Sequence, residues 1–413
     1  MRESAQAAKL PWISGTPLTS EQWKAYRARL ASESSKHDIP PADYYPPGNF
    51  PLLLDRSEWE SLARTAEKLT AEVLAAEREL IGRTDLHARL GLPASIRQVF
   101  TKWNRDSSPP GVARYMRFDF HLTPRGWRIS EVNADIAGGF NVGSMFSELM
   151  APYYPRCSRP PDPVRAHAKA VLKAVGANAL VAIVRRTVRA RDCESKYLAS
   201  ELRKQGMQSV IVSPGDLIWR SNRGPIIRGH VNRAPDLLIP LLCMDWLPRL
   251  RPGSLWKRWF GGSWTLMSNP VTSVLIESKR LPLVWDELET PMPTWRTAII
   301  PETSCPSGLK SMSEGEWVLK RAFGGAGQGV AIAGISSRRA YKEAARQAKR
   351  HPHGWVAQRR FEMLPIETPR GLRHICLGIF TVDGKAAGAY GRSSKTALIG
   401  LDTKDAVVLL RAK

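Results

Sequence analysis

Four polar side chains in one segment of the sequence are of the types that bind a divalent cation and a phosphoryl group. Asp119, Glu131 and Asn133 offer hard oxygen ligands, which suit Mg²⁺. Arg117 lies two residues before Asp119 and could offset the charge on a phosphoryl group in transfer. We therefore treat the first three as candidate metal ligands and Arg117 as a candidate catalytic residue. The alternative is a solvated surface whose charges pair with one another.

The residues from Arg114 to Asp135 are predicted to form a β-hairpin around this chemistry. Apolar and polar side chains alternate over residues 115–122, a period that is typical of a half-buried strand. Residues 127–133 form the returning strand. The candidate ligands then lie on the two neighbouring strands of one hairpin.

The turn decides which residues of the hairpin face one another. Residues 124–126 (Pro-Arg-Gly) suit a three-residue loop with glycine in the left-handed position. With such a loop Thr123 pairs with Trp127, and Asp119 faces Glu131 with Cβ atoms about 5 Å apart. A two-residue turn would shift the pairing by one and separate the two carboxylates onto opposite faces.

A glycine-rich turn between two predicted strands is the second candidate site. Its segment reads EWVLKRAFGGAGQGVAIAG, with Lys320 at the end of the first strand, in reach of an anion at the turn. Glycines let a backbone lie against phosphates and donate amide hydrogens to them. The candidate phosphate-binding glycines are Gly325, Gly327 and Gly329. The turn does not lead into a helix, so it fits neither a dinucleotide-binding turn nor a Walker loop, and a mobile hairpin turn is the alternative.

Two further polar residues lie on or after predicted strands near the end of the chain. Gln358 could bind the edge of an adenine, and the alternative is a surface amide. Arg392 follows a strand at 386–390 and could clamp a phosphate, and the alternative is a solvated turn.

The remaining pattern predicts a mixed α/β (α+β) protein. Leucine and valine recur at helical spacing over residues 57–80, with Ser57 as a plausible N-cap. Residues 164–245 alternate helix and strand, which predicts a small parallel α/β unit. No internal repeat stands out.

Composition and charge narrow the class of protein less than the motifs do. The net charge of +23 fits an anionic substrate such as ATP, a nucleic-acid partner or a basic surface without a specific role. Basic residues are scattered along the chain, so nucleic acid is the less favoured partner.

No stretch reaches the roughly 18 apolar residues of a membrane span, and the first residues contain no apolar leader, so we expect a cytoplasmic protein without a membrane partner. The five cysteines lie far apart and predict neither a zinc site nor a disulfide framework.

Taken in order, these segments resemble the ATP-grasp domain of glutathionylspermidine synthetase and its permuted relatives. That family has an Arg-x-Asp strand followed by a Glu-x-Asn-Ala-Asp strand, and this sequence has the same pattern from Arg117 to Asp135. The resemblance covers roughly residues 90–145 and 265–400. It implies that Asp119, Glu131 and Asn133 bind magnesium and that Arg117 stabilises the phosphoryl group.

The resemblance also assigns roles to four downstream residues. NPVTSVLIESKRLPLVWDEL is similar to the first lysine segment and implies that Lys279 binds ATP, although Ser278 stands where the family usually has Asn. WVLKRAFGGAGQGV implies the same for Lys320, WVAQRRF implies a hinge strand with Gln358, and GIFTVDGKAAGAYGRSS implies a catalytic arginine at Arg392. The metal residues precede the lysines, the reverse of the ordinary ATP-grasp order, so the expected fold is a permuted ATP-grasp.

The resemblance implies an ATP- and Mg²⁺-dependent carboxylate–amine ligase that acts through an acyl phosphate. Its partners would be a small-molecule or peptide carboxylate and an amine. The alternatives are an ATP-grasp kinase and a basic nucleic-acid-binding protein with a non-catalytic nucleotide site. Neither the two substrates nor the oligomeric state can be read from the sequence.

The expected organisation has four parts along the chain. They are an N-terminal helical region (1–100), the metal-binding hairpin part of the ATP-grasp (101–162), a pre-ATP-grasp-like α/β domain on the substrate side (163–262) and the lysine and glycine-loop part of the ATP-grasp (263–413).

Overall fold

The fold is described from a computed structural model of the chain. The described residues are 10–40, 46–102, 111–186, 193–219, 224–229, 233–250, 255–260, 265–297, 302–309, 312, 316–325, 327–400 and 403–412.

The helices within these ranges vary widely in length, and the second is much the longest. They are α1 Ser20–Lys36, α2 Arg56–Gly82, α3 Ala94–Phe100, α4 Ser147–Met150, α5 Pro163–Val175, α6 Cys193–Lys204, α7 Val274–Glu277, α8 Pro293–Thr297 and α9 Arg338–Arg350.

The strands are mostly short, and the longest belong to the sheet that carries the candidate metal ligands. They are β1 Trp12–Ser14, β2 Leu52–Asp55, β3 Tyr115–Thr123, β4 Gly126–Asn133, β5 Cys157–Ser158, β6 Leu180–Arg185, β7 Gln208–Val212, β8 Leu217–Ile218, β9 Ile226–Ile227, β10 Leu237–Leu241, β11 Leu266–Met267, β12 Thr303–Ser304, β13 Trp317–Arg321, β14 Val330–Ile332, β15 Trp355–Arg359, β16 His374–Val382, β17 Lys385–Ser394, β18 Lys404–Ala406 and β19 Val408–Arg411.

Three sheets matter for the candidate site. The central sheet is antiparallel with the order β18-β17-β16-β3-β4, and a second antiparallel sheet has the order β12-β15-β13-β14. The third sheet, β11-β10-β6-β7, is parallel throughout. The mixed α/β class and the small parallel unit predicted from the sequence are therefore confirmed.

The central sheet has one apolar and one polar face. Phe118 and Phe120 of β3 belong to the same buried core as Leu69 and Val73 of α2. Side chains alternate along a strand, so the residues between these phenylalanines point to the other face, where the candidate site lies. Helix α2 matches the predicted helix, but it begins at Arg56, so the predicted N-cap is wrong.

A further sheet joins parts of the chain that are remote in sequence. Its order is β1-β2-β19-β5, and β19 runs parallel to β2. Arg411 Nε donates to Asp55 Oδ1 at 2.5 Å beside this pairing. Residues from the first and last parts of the chain thus share one sheet.

None of the helices within the described ranges combines the length and the apolar character that a membrane crossing needs. None of the five cysteines takes part in a disulfide bond within the described residues.

Candidate active site

The hairpin of β3 and β4 brings the candidate metal ligands together by a route that differs from the predicted one. Thr123 pairs with Gly126 and not with Trp127, so the turn is one residue shorter than expected. The pairing then shifts between Asp119 and Phe120, where Ser130 forms a β-bulge. The bulge adds the residue that the turn lacks, and Asp119 faces Glu131 as predicted. The predicted turn was wrong and the predicted pair is observed.

Asp119 lies at the centre of a buried cluster of charges. Arg117 Nε and Nη2 donate to its two carboxylate oxygens at 2.6 and 2.9 Å. Arg392 Nη2 donates to Asp119 Oδ2 at 3.0 Å from β17. Burial would raise the pKa of this carboxyl, but the two guanidinium groups outweigh burial and hold the pKa well below its usual range. Asp119 is therefore ionised and doubly paired.

A glycine on the neighbouring strand makes room for this cluster. Gly378 of β16 pairs with Asp119 on one side and with Tyr390 on the other. A Cβ atom at Gly378 would lie 2.6 Å from the Tyr390 ring and 2.8 Å from Arg117 Cδ. The absence of a side chain lets Arg117 lie over the Tyr390 ring, with its Cζ 5.2 Å from the ring centroid.

Glu131 is paired with a lysine from a different part of the chain. Lys279 Nζ lies 3.2 Å from Glu131 Oε2 and donates to the carbonyl oxygen of Gly324 at 2.7 Å. The backbone amide of Lys279 donates to Ala322 O, which fixes this segment to the start of the glycine loop. Burial would lower the pKa of Lys279, but Glu131 and other nearby carboxyls raise it above its usual value.

Lys320 lies beside the bulge. Its Nζ donates to the carbonyl oxygen of Ser130 at 3.2 Å. Burial lowers the pKa of Lys320 to about 8, and the charge of Lys279 contributes. An anion bound beside Lys320 would raise the pKa of this side chain and so stabilise its charged form. Lys320 is therefore suited to bind an anion.

The glycine loop runs between β13 and β14 as a hairpin and packs against residues that follow β17. At Gly327, where φ is +73°, a Cβ atom would lie 2.7 Å from both Gly400 Cα and Ile399 O, so only glycine fits there. Gly325 has no heavy atom near the position of a Cβ atom, and the structure gives no steric reason for glycine there.

Several of these residues line one pocket between the central sheet and the β12-β15-β13-β14 sheet. Its cavity volume is about 90 Å³, which is smaller than that of typical small-molecule sites. Its apolar wall includes Val330, Ile332, Phe361, Met363 and Leu398. Its polar lining includes Glu131, Lys279, Lys320, Gly324, Gly327, Gln358 and Arg392. Among the predicted site residues, Arg117, Asp119 and Asn133 lie behind this lining, and Gly325 and Gly329 lie outside it.

Three buried polar atoms on residues of this pocket lack hydrogen-bond partners. They are His121 Nδ1, Gln358 Oε1 and Arg392 Nε. Gln358 uses only its amide nitrogen, which donates to Thr303 Oγ1 at 3.4 Å. A buried polar atom without a partner costs on the order of 1–3 kcal/mol. All three atoms belong to side chains that line the pocket.

The sequence reasoning missed two residues of the site. His121 lies on the same face of β3 as Asp119, and its Nε2 is 2.9 Å from Ser130 Oγ; burial lowers its pKa to about 4. The alternation along β3 was a signal that could have found it. Glu277 accepts hydrogen bonds from the backbone amides of Ala134 and Asp135 and so holds the Lys279 segment beside β4. No sequence pattern pointed to Glu277.

The candidate metal ligands fit a hard cation in chemistry but are now paired otherwise. Within the described part of the chain, no group of three or more His, Cys, Asp or Glu side chains is placed to hold a metal ion. Asp119 and Glu131 supply two carboxylates, and Asn133 Nδ2 lies 3.4 Å from Asp119 Oδ2. An amide rotation would present the Asn133 oxygen to the same point. The donor set suits Mg²⁺ once the arginines release Asp119.

Comparison with solved structures identifies the fold. A glutathione synthetase-like effector from Globodera pallida, solved in its apo form, aligns with 95% of this chain and 98% of its own, with a TM-score of 0.62 and 11% sequence identity. The chain shares the fold of this protein. A candidate γ-glutamylcysteine synthetase from Methylobacillus flagellatus aligns with 79% of this chain and 83% of its own at 14% identity, and its TM-score of 0.39 is too low to carry an argument. No protein-family model and no curated protein match the sequence.

The likeness to the glutathione synthetase-like effector extends over nearly the whole chain. At 11% identity it concerns the path of the backbone and not individual side chains. The chemistry of the pocket therefore has to be argued from the residues of this chain.

Proposed function

We propose that the protein is an ATP- and Mg²⁺-dependent ligase that joins a carboxylate to an amine through an acyl phosphate. The observation that carries the proposal is the convergence of Lys279, Lys320, Arg392 and Glu131 on one pocket beside a glycine loop. Cations and backbone amides bind phosphates, and a carboxylate binds the accompanying metal ion. The fold shared with a glutathione synthetase-like protein supports a ligase.

The apolar end of the pocket suits the base of the nucleotide. Val330 and Ile332 of β14 and Leu398 offer surfaces against which a ring can pack. Gln358 Oε1 needs a donor, and the amino group of adenine is one. Gln358 would therefore select adenine by a hydrogen bond within the pocket.

The two lysines and the glycine loop suit the phosphates. Lys320 has a carbonyl oxygen as partner and would exchange it for a phosphate oxygen. Lys279 would remain near Glu131 and contact both the phosphate and the carboxylate. The backbone amide of Gly327, which lines the pocket, would add a neutral donor, whereas Gly325 and Gly329 lie outside the lining and would reach a phosphate only if the loop moved.

Asp119, Glu131 and Asn133 would hold Mg²⁺, which, when bound, offsets the charge of the phosphates. For that to happen, Arg117 and Arg392 must release Asp119. Both guanidiniums would then turn to the phosphoryl group. The pairing in the ligand-free site thus keeps the two arginines charged, ordered and close to their place of action.

The reaction needs no covalent enzyme intermediate. A carboxylate oxygen of the acid attacks the γ-phosphorus, an O–P bond forms, and the bond to ADP breaks. The nitrogen of the amine then attacks the acyl carbon, the C–N bond forms, and phosphate leaves while the nitrogen gives up a proton. Arg117 and Arg392 would offset the charge that develops in the first step.

We also propose that the fold is a permuted ATP-grasp and that this chain is related to the synthetase domain of glutathionylspermidine synthetase. The chain would then divide into the four parts expected from its sequence. The proposal names neither the acid nor the amine.

The test is a screen for ADP release with the full chain, ATP and Mg²⁺ against pools of amino acids, peptides and polyamines. A ligase releases ADP and free phosphate only when an acid and an amine are both present. ADP with a phosphorylated product and no free phosphate would identify a kinase. Absence of ATP binding by calorimetry would reject both activities.

A further inference from the structure

A second and larger cleft lies next to the proposed nucleotide pocket. It contains about 1610 Å³ of empty space, including space open to solvent. Its walls come from the loop that follows β17, from strand β18, from the turn before β16 and from the glycine loop. The proposed function assigns no ligand to this cleft.

The charges around this cleft are predominantly positive. Arg370, Arg373, Lys395 and Lys404 line it. Among the described residues, none of these four side chains forms an ion pair with a carboxylate. Asp405, the acidic residue in the lining, is the backbone register partner of Arg392 across β17 and β18. Burial raises the pKa of its carboxyl, and the Arg392 guanidinium opposes this rise. The cleft therefore presents four cations beside one partly buried carboxyl, and its field is positive overall.

The wall beside these cations is fixed by its own hydrogen bonds. Ser394 Oγ donates to Leu398 O at 3.0 Å, and Thr396 N donates to Ser394 Oγ at 3.2 Å. Thr403 Oγ1 donates to Gly400 O at 2.8 Å. A wall held in this way keeps its shape before a ligand arrives, which lowers the entropy cost of binding.

The cleft continues into the proposed nucleotide pocket. Gly327 and Leu398 line both spaces. The contact of Gly327 with Ile399 and Gly400 is so close that a side chain would force the two loops apart. A molecule in the cleft would therefore lie against the loop that is proposed to hold the phosphates, where a second substrate has to approach.

We infer that this cleft binds negatively charged groups of the acid substrate other than the carboxylate that reacts. The acid would thus be a polyanion, such as a peptide that carries several carboxylates. The inference rests on the proposed function, because it names the class of one substrate of that reaction. The four cations would hold the remote charges while the reacting carboxylate reaches the neighbouring pocket.

The experiment measures binding of a triglutamate peptide by calorimetry at low ionic strength, with trilysine as the opposite charge. The wild-type protein should bind triglutamate and not trilysine. Arg370→Ala/Arg373→Ala should weaken triglutamate binding by about ten-fold or more, because two attractive charges are lost. Lys342→Ala/Lys349→Ala is the matched control: it removes two exposed cations of α9, outside the cleft, and should change the affinity by less than about two-fold.

Equal weakening in both double variants would indicate unspecific attraction and overturn the inference. Lys395→Ala/Lys404→Ala provides a second pair of exposed positions if the first variant does not fold. The titration with triglutamate is repeated in the presence of saturating ADP and Mg²⁺. If ADP abolishes triglutamate binding, both anions bind in one pocket, and this result would also overturn the inference. ADP binding without triglutamate binding rejects the inference alone, whereas triglutamate binding without ADP binding rejects the proposed function.

Discussion

Asp119 and Glu131 face each other across β3 and β4 because the bulge at Ser130 offsets a turn that is one residue short. Each carboxylate is paired with cations: Asp119 with Arg117 of its own strand and Arg392 of β17, and Glu131 with Lys279. The two carboxylates thus belong to a buried network of ion pairs. Any ligand that binds there must replace some of these ion pairs with contacts of its own.

The two carboxylates should differ in their effect on stability. Asp119→Asn leaves two buried guanidiniums without a charged partner and should cost about 3–5 kcal/mol. Glu131→Gln leaves Lys279 its bond to Gly324 O and should cost less. Urea unfolding of both variants checks the order. If both are equally stable, the paired arrangement of Asp119 is not what holds this part of the sheet.

Lys320 should matter for nucleotide binding and little for stability. Lys320→Met removes a buried charge whose partner is a carbonyl oxygen, so the free energy of unfolding should stay the same or rise. Affinity for ATP should fall by about ten-fold or more, since a charged hydrogen bond to phosphate is lost. Calorimetry with ATP measures it. Lys385→Met is the control, because Lys385 is exposed and outside the pocket; an equal loss there would contradict the assignment.

Binding of ATP should weaken at alkaline pH. The pKa of Lys320 is about 8 in the free protein, so the side chain is charged below pH 8 and loses its proton as the pH rises above it. A neutral amine attracts phosphate less, and the affinity should decline from about pH 8 upward. Lys320→Arg keeps its charge in this range and should give a flatter profile. Titrations from pH 7 to 9.5 compare the two proteins, and parallel profiles would exclude Lys320 as the titrating group.

The glycine loop should tolerate no side chain at its closest contact. Gly327→Ala combines a φ of +73° with a clash against Gly400 and Ile399, and should lower stability by about 1–3 kcal/mol. Gly354→Ala is the control, since no heavy atom lies near its Cβ position. Thermal unfolding measures both. A Gly327→Ala protein as stable as the control would mean that the two loops separate freely.

Stability should fall in mild acid because of a buried histidine outside the site. Burial lowers the pKa of His167 to about 4, and its Nε2 lies 2.8 Å from Ser268 Oγ. The unfolded chain takes up a proton below pH 6.5 and the folded protein does not, so this contribution is complete above pH 6.5 and is lost as the pH falls towards 4. The loss is on the order of 3 kcal/mol at pH 4. His167→Gln should flatten the dependence of unfolding free energy on pH between 7 and 4, and an unchanged slope would refute the assignment.

Local sequence patterns were sufficient to predict those elements whose own residues show a clear periodicity. Strands β3 and β4 lie within one residue of the predicted ranges 115–122 and 127–133, because alternation of apolar and polar side chains defines such strands well. The pairing of Asp119 with Glu131 was predicted from an incorrect turn, since a bulge leaves no mark that period-two alternation can reveal.

Contacts between distant segments could not be read in the same way. The bond between Arg392 and Asp119 depends on β16 lying between β3 and β17, and nothing in either local segment specifies that order. Strands β1 and β2 were missed because they are short, and because β2 pairs with the distant strand β19 as well as with β1. Glu277 reaches the hairpin only through the packing of α7.

The parallel pairing of β2 with β19 has a consequence for how the protein is made. Residues 52–55 leave the ribosome long before residues 408–411, yet they need each other to complete a sheet. The long helix α2 follows β2 directly. The sheet of β2 therefore lacks β19 during most of synthesis. Until the last strand arrives, the apolar edge of this sheet is exposed to chaperones, proteases and other nascent chains.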